Sequence, residues 1–222
     1  MCGRYVLADG EILGERFIAR GVPRIPPSFN VAPTQRMPIV RIGPDGGRTV
    51  DLLRWGIVPA WGGRDGKSAP PLFNARSETV AEKQSFRNLL SGQRCLVPAN
   101  GFYEWSHQGG SKRPYYFSVK DTPLFAFAGL YTEAAGEDRP AAYTILTTSP
   151  NDLLARYHNR MPVILRPEDE IAWLDPDETE PLALEHCYTP FPAEEMAVHA
   201  ANPAVNNVRN NDPSMLDETP EA

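Results

Sequence analysis

Proline restricts the fold of this chain more than any other residue type. It occupies 23 of 222 positions, about twice its usual share of ~5%, and it interrupts helices and central strands because it fixes φ and lacks an amide hydrogen. This composition disfavours an all-helical protein and favours short strands joined by shaped loops. Since 41% of the residues are hydrophobic, the chain can form a packed core. We expect one compact α+β domain around an antiparallel, barrel-like β-sheet with a few peripheral helices.

Hydrophobic patterns and turn residues predict where these elements lie. The predicted strands cover residues 38–42, 49–55, 94–98, 102–106, 114–119, 124–131, 143–148, 162–165 and 195–200. The predicted helices cover residues 10–20, 77–90, 151–158, 168–175 and 181–187. We assign residues 2–210 to the domain and residues 211–222 to an acidic, flexible tail.

Charge is divided unevenly along the chain. The net charge is −6, which on its own argues against nucleic acid as a partner. Residues 1–166, however, carry 21 basic and 14 acidic side chains, a net charge of +7. Residues 167–222 carry one basic and 14 acidic side chains, a net charge of −13. The average therefore conceals a basic part that could bind an anionic partner.

No part of the sequence indicates a membrane or a secreted protein. No run approaches the ~20 apolar residues of a membrane helix, and the first residues lack the apolar segment of a signal peptide. The cysteines Cys2, Cys95 and Cys187 are odd in number and far apart, which is typical of reduced thiols in a cytosol. We expect a cytoplasmic protein, associated with the nucleoid if it is bacterial.

The sequence also predicts neither a metal nor a cofactor. It contains no His-Glu-x-x-His and no Cys-x-x-Cys motif. His186 and Cys187 are adjacent, a spacing that rarely lets both residues bind one zinc ion. We therefore expect no metal site and no cofactor.

Cys2 is the residue with the most informative chemistry. Removal of Met1 would leave Cys2 with both a thiol and a free α-amine, whose reference pKa of roughly 7.7–8.0 leaves a useful fraction neutral near pH 7. A neutral 1,2-aminothiol condenses with an aldehyde, because the amine forms a Schiff base and the thiol then closes a thiazolidine ring. The plain alternative is that Cys2 is an ordinary small residue near a chain end.

Three further segments combine polar residues suited to acid–base or phosphate chemistry. Asn74 and Arg76 lie where a loop leads into a predicted helix, and Glu104 lies between aromatic residues at the end of a hydrophobic run. His158 and Arg160 follow a predicted helix and precede a strand. Each segment also has a plain interpretation: a helix N-terminus with a surface arginine, a strand glutamate facing solvent, or a histidine at a helix C-terminus.

Six sequence segments are informative when they are considered together, although each one alone is a weak signal. They are Cys-Gly-Arg-Tyr at 2–5, Phe-Asn-Val-Ala-Pro-Thr at 29–34, Arg-Trp-Gly-Ile-Val-Pro at 54–59, Asn-Ala-Arg-Ser-Glu-Thr at 74–79, Cys-Leu-Val-Pro-Ala-Asn-Gly-Phe-Tyr-Glu-Trp at 95–105 and His-Asn-Arg-Met-Pro-Val-Ile-Leu at 158–165. In this order they resemble the SRAP family, the SOS response-associated peptidases or abasic-site processing proteins, over essentially residues 2–210. One departure is the loss of the proline that usually follows the histidine at 199, which affects the last strand rather than the chemistry.

The resemblance implies the SRAP fold and an activity. A monomer would capture the ring-opened aldehyde of an abasic site in single-stranded DNA as a thiazolidine crosslink that protects the lesion during replication, with lyase or autopeptidase activity besides. Cys2 would be the nucleophile, and Asn74 would orient the ring and the opened sugar. Glu104 would hold the amine and shuttle protons, and His158 would be the acid/base for sugar opening and for crosslink reversal.

The resemblance also implies a set of DNA contacts, all in the basic part of the chain. Arginines would bind phosphates, an indole would stack on a base, and two small polar side chains would bond the DNA backbone. These residues are Arg4, Arg76, Arg160, Trp105, Asn30 and Thr147. We expect the acidic residues of 167–222 to lie away from this surface.

Other functions remain open at this point. An N-terminal-nucleophile amidohydrolase also begins Met-Cys-Gly and uses the terminal amine with the thiol. A cysteine autopeptidase would remove an N-terminal segment, which here is only Met1. A non-covalent single-stranded DNA-binding module would bind in a salt-sensitive way without a covalent product.

Overall fold

The computed structural model describes residues 2–59, 69–106 and 112–220. The strands of these residues are β1 (Tyr5–Leu7), β2 (Ser28–Val31), β3 (Arg36–Ile42), β4 (Arg48–Trp55), β5 (Asn74–Arg76), β6 (Arg94–Ala99), β7 (Gly101–Ser106), β8 (Arg113–Val119), β9 (Phe125–Thr132), β10 (Ala142–Thr148), β11 (Met161–Pro162), β12 (Ile164–Leu165) and β13 (Met196–Ala200). The α-helices are α1 (Leu13–Arg16), α2 (Arg87–Leu90) and α3 (Pro167–Leu174). The 3-10 helices are Gly10–Ile12, Ser77–Thr79, Leu154–Arg156, Pro181–Tyr188, Ala193–Glu195, Pro203–Asn206 and Pro213–Leu216.

The strands form two sheets. The first is antiparallel, in the order β13-β8-β7-β1-β2, so that β1 lies inside the sheet with Tyr5 opposite Phe102 of β7 and Val31 of β2. The second runs β11-β10-β4-β3-β6-β9-β12, and β5 pairs in parallel with β10. Because β10 also pairs with β9, the strands β10, β4, β3, β6 and β9 form a ring.

The ring is not a true barrel. Strands β10 and β4 meet only through Ala142 opposite Arg54 and Tyr143 opposite Trp55, and they run in parallel there. The predicted α+β class is confirmed. The sheet that we expected to be barrel-like and antiparallel is a ring of mixed direction, closed by this short parallel contact.

Aromatic side chains join the two sheets. The ring of Tyr5 in β1 packs edge-on against Trp55 at 5.3 Å and against Phe127 at 6.0 Å between centroids. The hydroxyl groups of Tyr5 and Tyr143 share a hydrogen bond of 2.8 Å, and the Trp55 indole donates to the Phe73 carbonyl oxygen at 2.9 Å. The polar groups of Tyr5, Tyr143 and Trp55 are therefore all hydrogen-bonded. These bonds and ring contacts fix the start of β1 in the core.

The helices predicted over residues 10–20, 77–90 and 151–158 are shorter in the structure, whereas the last two have about the predicted length. The single helix expected over residues 77–90 is wrong, because the chain forms the 3-10 helix Ser77–Thr79, then turns, and then α2. Val80 and Phe86 are both buried, yet six residues on one α-helix place them on different faces. Turns between the two short helices let both side chains reach the core.

The C-terminal residues pack against the domain as far as Pro220. Met215 is buried in a small apolar cluster with Tyr103 and Val205. The amide of Thr219 donates to the Ala200 carbonyl oxygen at 2.9 Å. Part of the segment that we expected to be a flexible tail therefore forms regular contacts, starting with the 3-10 helix Pro213–Leu216.

None of the helices in the described residues is long and apolar enough to cross a membrane.

Candidate functional site

Cys2 lies three residues before β1, next to β7. Tyr5 pairs with Phe102, and the Tyr103 amide donates to the Arg4 carbonyl oxygen at 3.0 Å, so the same register places Gly3 opposite Glu104. The Cys2 side chain is fully buried. Burial raises the pKa of its thiol, and the negative charge of Glu104 acts in the same direction. The thiol is therefore neutral near pH 7.

Asn74 fixes the backbone of Cys2. It is the first residue of β5, and it pairs with Ile145 in the centre of β10. Its Nδ2 donates to the Cys2 carbonyl oxygen at 3.0 Å. Its Oδ1 is buried and has no hydrogen-bond partner among the described residues. A buried carbonyl oxygen without a donor is costly in a folded protein, and it offers an acceptor to a bound molecule.

Glu104 is a buried carboxyl group beside this position. Only 3% of the residue is exposed. Burial raises the pKa of its carboxyl group to about 7, against the opposing effect of nearby positive charge that includes Lys112. A carboxyl group with this pKa exchanges protons readily near neutral pH. The alternative interpretation of Glu104, a strand glutamate that faces solvent, is therefore wrong.

His158 follows the 3-10 helix Leu154–Arg156 and is half-buried. Its Nδ1 accepts a hydrogen bond from the Arg160 amide at 3.0 Å. Nδ1 also lies 3.2 Å from the Arg160 carbonyl oxygen, and the shorter contact with the amide favours the neutral tautomer with its proton on Nε2. His158 can therefore offer an N–H group from the side of the ring that faces away from Arg160.

Arg160 is held by two neighbours. Its guanidinium forms a two-bonded ion pair with the Glu78 carboxylate and donates to the carbonyl oxygen of Thr147. The Thr147 hydroxyl is fully buried, and it donates to the Ala75 carbonyl oxygen at 3.4 Å. These bonds fix the orientation of Arg160, whose Nε has no hydrogen-bond partner among the described residues. Arg160 and Thr147 are thus brought together, and DNA contact stays a prediction for both.

Arg4, Asn30 and Trp105 form a second group. The Arg4 guanidinium donates to Asn30 Oδ1 and to the Val205 carbonyl oxygen, each at 2.8 Å, and lies 5.7 Å from the centre of the Trp105 ring. Burial lowers the pKa of Arg4. The Trp105 indole donates to Asn206 Oδ1 at 2.7 Å. The C-terminal segment therefore backs this side of the site.

Asn30 is the least accessible member of this group, with 2% of the residue exposed. Its Nδ2 donates to the carbonyl oxygens of Val205, Asn207 and Asn210 at 3.2, 3.1 and 2.9 Å. These bonds give Asn30 a structural role. Contact between Asn30 and a DNA backbone stays a prediction.

A groove with a volume of ≈ 740 Å³ begins at Asn74. Its cationic lining residues are Arg76 and Lys83, which are both exposed. No carboxylate lines it among the described residues. Arg76 pairs with Thr147 across β5 and β10, and Arg160 donates to the Thr147 carbonyl oxygen, so β10 connects the groove with Arg160. The full lining is Pro71, Leu72, Phe73, Asn74, Arg76, Lys83, Gln84, Ser85 and Phe86.

Sequence reasoning missed Glu78 and Lys83. Glu78 lies inside the segment 74–79, one of the six that resemble the SRAP family. Its negative charge could have suggested an ion pair with Arg160, which was predicted to lie at the same site. Lys83 lies in the region predicted as one long helix, and its place at the groove depends on the turns that replace that helix. No local pattern contains this information.

A model of the SOS response associated peptidase (SRAP) family matches residues 1–208. The chain belongs to the SRAP family. The match includes all ten residues assigned to the site from the sequence. Membership in the SRAP family, expected from six segments, is confirmed.

Curated relatives of this SRAP protein come from bacteria and vertebrates. The abasic site processing protein YoqW of Bacillus subtilis (strain 168) is 39% identical over 98% of this chain and 99% of the relative. The abasic site processing protein HMCES of Gallus gallus is 33% identical over 87% of this chain and 66% of the relative. The similarity to YoqW therefore spans both chains almost completely.

Solved structures share the SRAP architecture described above. A crystal structure of a Bacteroides thetaiotaomicron protein matches with a TM-score of 0.83 and 26% identity, over 98% of this chain and 100% of that chain. A Bordetella bronchiseptica protein matches with a TM-score of 0.74 and 26% identity, over 90% of this chain and 100% of that chain. The arrangement of two sheets is therefore shared along most of the chain.

Proposed function

We propose that this protein processes abasic sites in single-stranded DNA by covalent capture at Cys2. The observation that carries the proposal is the state of the Asn74 amide. Its Nδ2 donates to the Cys2 carbonyl oxygen, and its buried Oδ1 has no donor among the described residues. An opened sugar has hydroxyl groups that can donate to this oxygen. The abasic site processing activity in the names of the relatives supports the same substrate.

The order of the chemical steps follows from the state of the thiol. Because burial keeps the Cys2 thiol neutral, little thiolate is present and the thiol is a poor first nucleophile here. After Met1 has been removed, the Cys2 amine attacks the aldehyde carbon, and loss of one water gives the Schiff base. The thiol then adds across the C=N bond, so that sulfur binds carbon and the thiol proton ends on nitrogen. One water leaves in total.

Two residues move the protons that these steps need. Glu104, with a pKa of about 7, takes a proton from the attacking amine and returns it to the hydroxyl group that leaves as water. His158 presents its Nε2–H to the ring oxygen of the sugar, which opens to the aldehyde. The same two groups support reversal, because each proton transfer runs backwards through the same residue.

The groove at Asn74 provides the path for the DNA strand. Arg76 and Lys83 supply charge for phosphates without an opposing carboxylate among the described lining residues. Trp105 and Arg4 flank the other side of Cys2, where an indole suits a base next to the lesion. These contacts tolerate any sequence, as recognition of a missing base requires.

A denaturing gel tests the covalent step. Untagged protein is mixed with single-stranded DNA that carries one abasic site, without borohydride. We expect a shifted band whose mass equals DNA plus protein without Met1, minus one water. Cys2→Ala abolishes the band, and the matched control Cys95→Ala keeps it. An undiminished band in Cys2→Ala would sink the mechanism.

The same assay separates the roles of the neighbouring residues. We expect Asn74→Ala to slow crosslinking by about 10–100-fold through loss of positioning, whereas the exposed control Asn88→Ala has no effect. Glu104→Gln slows crosslinking too, and His158→Ala slows formation or reversal while DNA binding is kept. Binding that is lost in step with crosslinking in His158→Ala would contradict the acid–base role.

Three alternative functions are separate outcomes of this design. A non-covalent DNA-binding module gives salt-sensitive binding and no band under denaturing conditions. An N-terminal-nucleophile amidohydrolase hydrolyses glutamine and forms no crosslink. A cysteine autopeptidase releases an N-terminal extension in the wild type and retains it in Cys2→Ala.

A further inference from the structure

The fold brings together three potential metal ligands outside the Cys2 site. Asp169 lies in the first turn of α3, and His186 and Cys187 lie near the end of the 3-10 helix Pro181–Tyr188. One ligand atom of each residue lies within 4.8 Å of the other two. His186 Nε2 is 3.4 Å from Cys187 Sγ and 3.8 Å from Asp169 Oδ1.

These separations are close to the edges of a zinc coordination tetrahedron, and one of them matches. Zinc binds sulfur at about 2.3 Å, nitrogen at about 2.0–2.1 Å and carboxylate oxygen at about 2.0–2.2 Å, so its ligand atoms lie roughly 3.3–3.6 Å apart. The nitrogen–sulfur separation already falls in this range. The carboxylate of Asp169, which is partly exposed, lies within 4.8 Å of both other ligand atoms and moves closer to them when an ion binds.

The histidine ring is oriented as a ligand. Its Nδ1 lies 2.8 Å from the Ala183 carbonyl oxygen, which can only accept, so the ring proton is on Nδ1. The lone pair of Nε2 then points toward the sulfur and the carboxylate. Metal-binding histidines characteristically donate their other N–H to a carbonyl or carboxylate in this way.

An ordinary ion pair explains the geometry less well. A protonated His186 that paired with Asp169 would donate at about 2.7–3.2 Å, and the two atoms are 3.8 Å apart. A hydrogen bond between the Cys187 thiol and His186 Nε2 accounts for the 3.4 Å contact, but it gives no role to the carboxylate of Asp169. A metal ion uses all three atoms.

We propose that Asp169, His186 and Cys187 bind one borderline transition-metal ion, for which Zn²⁺ is the best match. Sulfur, nitrogen and oxygen donors together suit this class of ion. Binding forms one bond from each ligand atom, displaces the thiol proton to solvent and leaves a fourth position for water. The ion clamps α3 to the 3-10 helix Pro181–Tyr188.

The fold overcomes the objection that adjacent residues rarely bind one ion. Successive side chains on a 3-10 helix point about 120° apart, which separates His186 from Cys187 at their backbones. The bond from Nδ1 to Ala183 turns the imidazole back along the helix, so that Nε2 reaches the sulfur. The third ligand comes from α3, which sequence spacing does not connect with this helix.

Cobalt titration tests the site. We use untagged, metal-stripped Cys2→Ala protein with a non-thiol reductant, because a terminal cysteine in mature protein would itself bind metals. One equivalent of Co²⁺ is expected to give a thiolate-to-cobalt charge-transfer band and the ligand-field bands of a tetrahedral site, and Zn²⁺ is expected to remove them. Absence of the thiolate band in this protein would overturn the proposal.

Variants in the same background assign the ligands. Cys187→Ser removes the charge-transfer band. His186→Gln lowers the affinity by about tenfold or more, whereas His199→Gln, a control outside the cluster, binds like the parent. His186 is half exposed, so its variant is expected to fold. A band that survives Cys187→Ser would show binding elsewhere and overturn the assignment.

Thermal unfolding gives an independent reading. Zn²⁺ bound to the native state raises the Tm of Cys2→Ala by mass action, and this shift is lost in Cys2→Ala/His186→Gln. Equal shifts in both proteins would contradict the proposed site.

Discussion

Glu104 shows how strongly one buried side chain can depend on its surroundings. Antiparallel pairing with β1 brings it next to Cys2, and the same burial that shields the site raises the pKa of its carboxyl group to about 7. The segment 95–105 predicted that this residue matters, since a charge among aromatic residues needs a reason. Its pKa could not be predicted, because it depends on the packing of strands far apart in sequence.

Glu104 is expected to make stability fall as pH rises. The folded pKa of about 7 lies above the ordinary value of 4.5, so the unfolded chain loses the proton first. The stabilisation that the protonated form provides is complete below about pH 4.5 and is lost as pH rises through about 7. Relative to the wild type, Glu104→Gln should gain up to about 3 kcal/mol between pH 4.5 and 8.

Urea unfolding at several pH values measures this gain. Glu82→Gln, at an exposed position, provides the matched control and should parallel the wild type. A constant difference between wild type and Glu104→Gln over this pH range would contradict the raised pKa.

At the scale of elements, proline begins several of the short helices. Pro167, Pro181, Pro203 and Pro213 each stand in the first turn of a short helix, where proline fits well. Only the first of these helices is an α-helix. Hydrophobic spacing does not distinguish a 3-10 turn from an α-turn over so few residues, because packing against the sheets decides between them.

Strand β7 has a position that accepts only glycine. A β-carbon at Gly101 would lie 2.5 Å from the Phe117 carbonyl oxygen and would also collide with the Tyr116 ring. Gly101→Ala must therefore push β8 away from β7, and we expect a loss of about 1–3 kcal/mol in the free energy of unfolding. Since β7 carries Glu104, crosslinking should slow as well.

Chemical denaturation of Gly101→Ala measures the loss. A β-carbon at Gly92 would meet no atom within 4 Å, so Gly92→Ala is the matched control and should unfold like the wild type. Equal stability of Gly101→Ala and wild type would contradict the close packing of β7 and β8.

Across the whole molecule, the part of the chain after residue 166 contributes uncharged groups to the side of the site formed by Arg4 and Trp105. The C-terminal groups that bond Arg4 and Trp105 belong to Val205 and Asn206 and are uncharged. Two acidic residues of the same part, Glu170 and Glu195, pair with Arg16 and Arg166. The contacts at Arg4 and Trp105 join residues too far apart in sequence for any local pattern to reveal them, and the separation of the acidic residues from the site stays a prediction.

The basic groove is expected to control the salt dependence of DNA binding. Arg76→Ala/Lys83→Ala removes two candidate phosphate contacts, so the slope of log affinity against log salt should become shallower by about 1.4 for single-stranded DNA. Affinities at several salt concentrations measure the slope. Arg20→Ala/Lys120→Ala changes the net charge equally at exposed sites outside the groove and should leave the slope unchanged; an equal effect of both pairs would refute a local groove.

The interior position of β1 in its sheet has a consequence for folding kinetics. The first strand of the chain cannot complete its hydrogen bonds until β7, made much later, is available to pair with it. Such long-range pairing closes a large loop, which slows folding. Cys2, Glu104 and Asn74 therefore come together only in the last ordered state of the chain. Crosslinking competence should thus return with the slowest refolding phase, so that formation of the DNA adduct reports when the native fold is complete.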